Sequence, residues 1–149
     1  SICSRVWGIG PSEAATTKIA PSLKHGTWVL CDRFADSTHA YQGYGLGLNI
    51  AAIEMLYEMT LGDFKPDLTL VLDLPVQISM ERMQARGDDP DRYEQMDISF
   101  HQRLREGFLE IAHKEPDRCA VIDANAAIDT VTSLINDCVT KRLGAKLAT

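Results

Sequence analysis

The sequence predicts an α/β fold built on a parallel sheet, and three observations carry that prediction. Apolar, β-prone runs occur at residues 27–31, 67–74 and 119–122. Between and after them, apolar side chains recur at helical spacing instead of alternating. The middle run, Asp-Leu-Thr-Leu-Val-Leu-Asp-Leu, is almost continuously apolar, as a strand covered on both faces must be. Strands separated by helices need crossover connections, and those make neighbouring strands parallel.

In chain order, residues 1–18 come first and show no clear period, so they are expected to form a divergent N-terminal segment. Gly8-Ile9-Gly10-Pro11 is too short and too Pro-broken for a phosphate loop, and Thr16-Thr17-Lys18 lacks the glycines. A phosphate loop of the G-x-x-x-x-G-K-[ST] type needs those glycines for its nest of N–H groups and the lysine for the phosphates; the pattern occurs nowhere in the sequence. The first strand, 27–31, ends on Asp32-Arg33. Ile50, Ile53, Leu56, Tyr57 and Leu61 then form a helical stripe, with Asn49 as N-cap and Gly62 as stop. The second strand follows, and after Pro75 the stripe Val76, Met80, Met83 predicts another helix. Phe100, Leu104, Phe108 and Ile111 predict the next, before the third strand closes on Asp123. Ile128, Val131, Ile135 and Val139 predict the last. No repeat, low-complexity tract or linker divides residues 1–149, which read as a single domain.

Bulk properties narrow the function classes. A chain of 149 residues can bury a sizeable core, and 45% hydrophobic with 24% charged residues is the composition of a folded soluble protein. A net charge of −6 argues against a nucleic-acid coat, which needs a basic field. No apolar run approaches the ~20 residues that cross a bilayer, and no signal peptide is visible. Cys3, Cys31, Cys119 and Cys138 lack any CxxC pairing. Reduced thiols in a cytoplasmic protein are the plain reading, with Cys31 and Cys119 in the core.

Two constellations carry chemistry. The first is Asp32-Arg33-Phe34 followed by Ser37, Thr38, Tyr41, Gln42 and Gly43. Ligands of open α/β sheets bind beyond the carboxyl ends of the strands, so a carboxylate and a guanidinium there suit a magnesium–nucleotide site. A surface ion pair followed by a polar loop is an equal alternative for Asp32-Arg33 alone. The second runs from Glu81 to Glu94. Arg82 and Arg86 share a helix face, Gly87-Asp88-Asp89-Pro90 breaks the helix, and Arg92 returns beyond it. Guanidiniums around a Gly/Pro loop can close over phosphates as a lid; a solvated helix end with surface Arg–Asp pairs is the blander alternative. Arg103 and Arg105 are expected on a solvated helix face, and His25, His39, His101 and His113 show no ligand spacing.

Taken together, Asp32-Arg33-Phe34-x-x-Ser37-Thr38-x-Ala40-Tyr41-Gln42-Gly43, Gly62-x-x-x-Pro66-Asp67-Leu68-Thr69, Leu72-Asp73, Arg86-Gly87-x-x-x-Asp91-Arg92-x-Glu94 and Ile122-Asp123-Ala124 resemble bacterial thymidylate kinases, from about residue 19 onward. The resemblance implies a nucleoside-monophosphate-kinase-like parallel sheet and a cytoplasmic homodimer that transfers a phosphoryl group from ATP to dTMP with Mg2+. It implies that Arg33 binds the dTMP phosphate, while Asp32 orders the metal region. Ser37 and Thr38 would lie beside the thymine. Tyr41 would press on the deoxyribose and crowd out a 2′-hydroxyl, and Gln42 would complete the pocket. Arg86 would reach the donor phosphates, Arg92 support the closed lid, Glu94 face the metal or the acceptor side, and Asn125 form part of the adenine wall. For Tyr41 a core-capping role, for Glu94 a helix-start role and for Asp73 a purely structural role stay open.

The sequence departs from that family at its start. Its members begin with a strand, a phosphate loop, a helix and a second strand with an Arg-Pro-Gly motif, none of which is found in this sequence. The family's first strand lies between those matching 27–31 and 67–74. Its loss would require a rearranged sheet, a filler such as Val6-Trp7-Gly8-Ile9, or completion by another chain. The expectation is an incomplete or frame-shifted copy. The activity expected is therefore dTMP kinase, with a non-catalytic remnant retaining part of the dTMP pocket or a dimer surface as the alternative, and another nucleotide kinase as a third.

Overall fold

A computed structural model describes residues 13, 15–86 and 95–144. The chain enters through a wide, π-helical turn at Ala15–Ile19 that continues as α1, Ala20–Lys24. Sequence periodicity misses this helix, which is too short to establish a period. Pro21 sits in its first turn, where its missing N–H costs nothing. α2 is a single turn, Ala35–Thr38, and runs directly into a second π-helical stretch, His39–Gly45. The polar loop of the alternative reading is therefore helical.

The remaining helices match the expected stripes. α3 spans Ile50–Leu61; the Asn49 side chain accepts from the Ala52 N–H at 3.3 Å, and Gly62 ends the helix at φ +55°. α4 spans Val76–Arg86 after Pro75. α5, Ile98–Lys114, is capped by Asp97, which accepts from the Phe100 N–H at 2.8 Å. α6 spans Ile128–Leu143 and stops at Gly144, φ +64°.

β1, Thr69–Asp73, and β2, Cys119–Asp123, pair in parallel from Thr69 against Cys119 to Asp73 against Asp123. α5 packs on both strands, on α4 and on the π-helical stretch, and α6 packs on β2. The core lies there: Phe100 and Ala40 are fully buried, with Ile122, Cys119, Ala112 and Val139 around them.

The first expected strand needs correction. Residues 27–31 take no part in the described two-stranded sheet. Trp28 and Leu30 are 52% and 73% exposed. β-prone side chains fit a pleated, half-buried surface but do not make a strand alone; a neighbouring backbone must pair with it. The suggested filler at Val6–Ile9 and the loop 87–94 lie outside the described residues.

Candidate active site

Arg33 follows residues 27–31 in a bend, with φ +65°, a left-handed conformation rare outside glycine. Such a residue costs ~1–3 kcal/mol and persists only where its surroundings over-determine it. Several constraints converge here. The Cys31 thiol donates to the Arg33 carbonyl at 3.3 Å. The exposed Arg33 guanidinium lies 5.0 Å from the centre of the Tyr41 ring, a cation–π contact. Tyr41 is itself set by edge contacts with Phe100 and Phe108 of α5, each at 6.3 Å.

Helical winding collects the rest. Ser37 and Thr38 end α2, and Tyr41 and Gln42 follow four residues on, so that Ser37 with Tyr41 and Thr38 with Gln42 are pairs about one turn apart. Thr38 is exposed, whereas Ser37, Tyr41 and Gln42 are half-buried. The hydroxyl, phenol and amide of the sequence motif thus lie on one continuous helical segment, with the phenol ring under the guanidinium. π-helical stretches are rare and occur often at functional sites.

Two glycines let that segment approach α5. A Cβ on Gly45 would lie 2.6 Å from the Phe100 ring, and one on Gly107 would lie 2.6 Å from Tyr44. Arg103 fastens the same end, donating from Nε and Nη2 to the Gly45 carbonyl at 3.2 and 3.1 Å.

The other end of the segment is held by charge. Arg118 donates to both Asp36 oxygens at 2.8 and 2.7 Å, to Glu115 at 2.7 and 3.2 Å and to the Thr69 hydroxyl at 2.9 Å. Both Arg118 and Asp36 are largely out of solvent. Arg118 hydrogen bonds hold the Glu115 carboxyl down at about 2, with Lys65 adding to the effect from 3.2 Å.

Beside Tyr41 lies a cleft of about 280 Å³ at the carboxyl end of β1, its walls including Asp73, Met80, His101, Arg105 and Phe108. Arg105 binds Asp73 through two parallel bonds of 2.7 and 2.8 Å, which hold the Asp73 carboxyl below its ordinary range. The expectation of a solvated face holds for Arg103, which is exposed although it reaches the Gly45 carbonyl, and is corrected for Arg105, which is half-buried against Asp73 of β1. His101 lines the cleft with Nε2 buried and without a hydrogen-bond partner among the described residues. Arg105 and His101 carry no sequence signal, since their neighbours come from β1 and the π-helical stretch.

On the other side, Arg82 of α4 donates to the Ala124 carbonyl at 3.1 Å and so ties α4 to the loop after β2. Asn125 is exposed in that loop, its N–H donating to Asp123 at 2.8 Å. Arg86 closes α4, while Arg92 and Glu94 fall outside the described residues. The structure thus seats Arg33 on Tyr41, winds Ser37, Thr38 and Gln42 into the same helical segment, and leaves Asn125 with Arg82 at the loop after β2.

For a metal, the described residues hold no group of three His, Cys, Asp or Glu side chains that could form a cage. Mg2+ needs less, since one or two carboxylates plus substrate phosphates suffice. The exposed Asp32 carboxylate fits that lesser demand.

The thymidylate kinase family model matches residues 11–135. The chain belongs to the thymidylate kinase family. It is 53% identical to the thymidylate kinase of Caulobacter vibrioides over 126 residues, covering 85% of this chain and 60% of that protein. With the thymidylate kinase of Bradyrhizobium diazoefficiens it shares 50% identity over 129 residues, covering 85% and 57%. The crystal structure of thymidylate kinase from Ehrlichia chaffeensis superposes with a TM-score of 0.65 at 31% identity, over 87% of this chain and 60% of that one. The chain therefore spans somewhat over half the length of these relatives, and shares their α/β fold. Among the described residues, no helix is long and apolar enough to cross a membrane.

Proposed function

We propose that this chain carries the acceptor site of a thymidylate kinase, transferring the γ-phosphoryl group of ATP to dTMP to give ADP and dTDP. The observation that carries the reading is the Arg33 guanidinium seated on Tyr41, at the head of a helical segment bearing Ser37, Thr38 and Gln42. A planar guanidinium binds phosphate oxygens bidentately, and Arg33 has its fork in solvent. Tyr41 serves as a rigid wall for the deoxyribose, leaving no room for a 2′-hydroxyl. Thr38, which both donates and accepts, reads the polar edge of thymine with Ser37 and Gln42 beside it.

Phosphoryl transfer asks of the protein positioning and charge stabilisation, with no covalent work. A dTMP phosphate oxygen attacks the γ-phosphorus as the bond to the β-bridging oxygen breaks, releasing ADP. Arg33 holds the attacking phosphate. Arg86 and Arg92 neutralise charge on the donor side, and Asn125 borders the adenine. Asp32, with Glu94, is assigned to Mg2+, which when bound neutralises phosphate charge. The reading includes a cytoplasmic homodimer. Met55, Leu56 and Met59 of α3, 63%, 62% and 78% exposed, supply apolar surface for a second copy.

ADP release coupled to dTMP tests the activity. Turnover above an Arg86→Ala control is expected, and its absence overturns the activity assignment. Calorimetry with dTMP alone tests the acceptor site separately. Preference for dCMP, UMP or thymidine over dTMP would overturn the choice of acceptor.

A further inference from the structure

We infer that Arg118, 85 residues from Arg33 in the sequence, is a positioning residue for the acceptor phosphate, acting on Arg33 through Asp36. The inference rests on the acceptor-site reading above.

Arg33 needs an external constraint, because its left-handed backbone is not one an arginine adopts by preference. The run before it, residues 27–31, lies outside the described sheet and holds Arg33 through the Cys31 thiol at 3.3 Å. A link from Arg33 to the sheet comes from the residues after it. Three positions on, Asp36 sits in the first turn of α2 and receives both forks of Arg118 at 2.7 and 2.8 Å. Arg118 is itself fixed to the sheet: its carbonyl accepts from the Thr69 N–H at 2.8 Å, it immediately precedes β2, and Glu115 grips Nε and Nη2. The Thr69 hydroxyl donates to Asp36 at 3.2 Å, closing the triangle. One guanidinium thus ties the start of α2 to both strands.

The contacts argue for position over mere stability. Phe34, between Arg33 and α2, makes an edge contact with Phe64 at 6.2 Å, while the Ser37 N–H returns to the Phe34 carbonyl at 3.0 Å. Any rotation of α2 about its short axis therefore passes through that turn to the Arg33 backbone. The far end of the segment has its own anchor in Gly45, Gly107 and Arg103, so losing Arg118 loosens the Arg33 end first.

The experiment compares dTMP with thymidine, which differ by the phosphate alone. Calorimetry is run on the full chain, on Arg118→Lys, on Arg33→Ala and on the double variant. Lysine keeps the charge and loses the fork. The preference for dTMP over thymidine is expected to fall about tenfold in Arg118→Lys while thymidine affinity changes less than about twofold, and the same substitution on the Arg33→Ala background should leave the ratio unchanged within about twofold. A general structural role would weaken both ligands together.

If Arg118→Lys loses the fold by circular dichroism, Asp36→Asn replaces it, with the same outcomes read. An unchanged ratio in the folded variant overturns the inference while leaving the acceptor site standing. An equal loss on the Arg33→Ala background also overturns it, by routing the effect elsewhere. Wild type with no preference for dTMP sinks the acceptor-site reading itself, and the inference with it.

Discussion

The two ends of the acceptor segment are held by opposite means. At the Gly45 end, absence of side chains lets backbone meet the Phe100 ring, with Arg103 donating to the Gly45 carbonyl, and the anchor is steric with no carboxylate in it. At the Asp36 end, one guanidinium spans two carboxylates and a hydroxyl, and the anchor is ionic. Packing is indifferent to pH and salt, whereas an ion network is fully present only while its carboxylates are charged. The end carrying the residue assigned to phosphate is therefore the end that solution conditions can loosen.

Removing the ionic anchor should have the largest effect. Arg118→Ala leaves Asp36 and Glu115 without their shared partner and is expected to cost about 3 kcal/mol, the low end for breaking a buried pair because both side chains keep some solvent contact. Urea unfolding at neutral pH measures it. A cost near zero would mean that the steric end holds the whole segment.

Filling the steric anchor comes next. Gly45→Ala forces a methyl against Phe100 and should cost about 1–3 kcal/mol. The loss should be the same at pH 5 and pH 8, which separates it from the ionic end.

Acid should discriminate between the ends without any mutation. The folded Glu115 carboxyl is held at about 2, below its ordinary value near 4.5, and Asp73 is lowered as well. A depressed carboxylate contributes stability above its unfolded value and loses it as the pH falls toward its folded one. Stability should thus decline from about pH 5 toward pH 2, and more shallowly in Glu115→Gln. A wild-type curve flat over that window would contradict the network.

The smallest effect belongs to the cleft. Asp73→Asn should change stability by less than about 1 kcal/mol, because Arg105 is 39% exposed and its pair is screened. If unfolding shows several kcal/mol instead, the cleft is a third anchor.

Legibility followed the range of the interaction. Asn49, Gly62 and Pro75 mark helix limits through contacts within four residues, so the bounds of α3 and the start of α4 could be read directly. The runs that became β1 and β2 were legible as continuously apolar stretches, although the structure leaves Leu72 and Val121 53% and 48% exposed where two covered faces were expected. The run at 27–31 reads the same way, and no residue within it tells whether a neighbouring backbone is there to pair. Likewise Arg105 was placed on a solvated face because nothing near it in sequence announces Asp73, 32 positions earlier.

By itself, then, the sequence determined the helix stripes, the parallel α/β class, the motif Asp32-Arg33 through Gly43 and the resemblance to thymidylate kinases. Only the tertiary structure decided that residues 27–31 stay outside the described sheet, that the motif winds into α2 and a π-helical stretch, and that Arg118 clamps it from 82 residues beyond Asp36. The reason is physical. Caps and stripes are local and repeat within a turn, while hydrogen bonds between distant groups exist only once folding has set their separation.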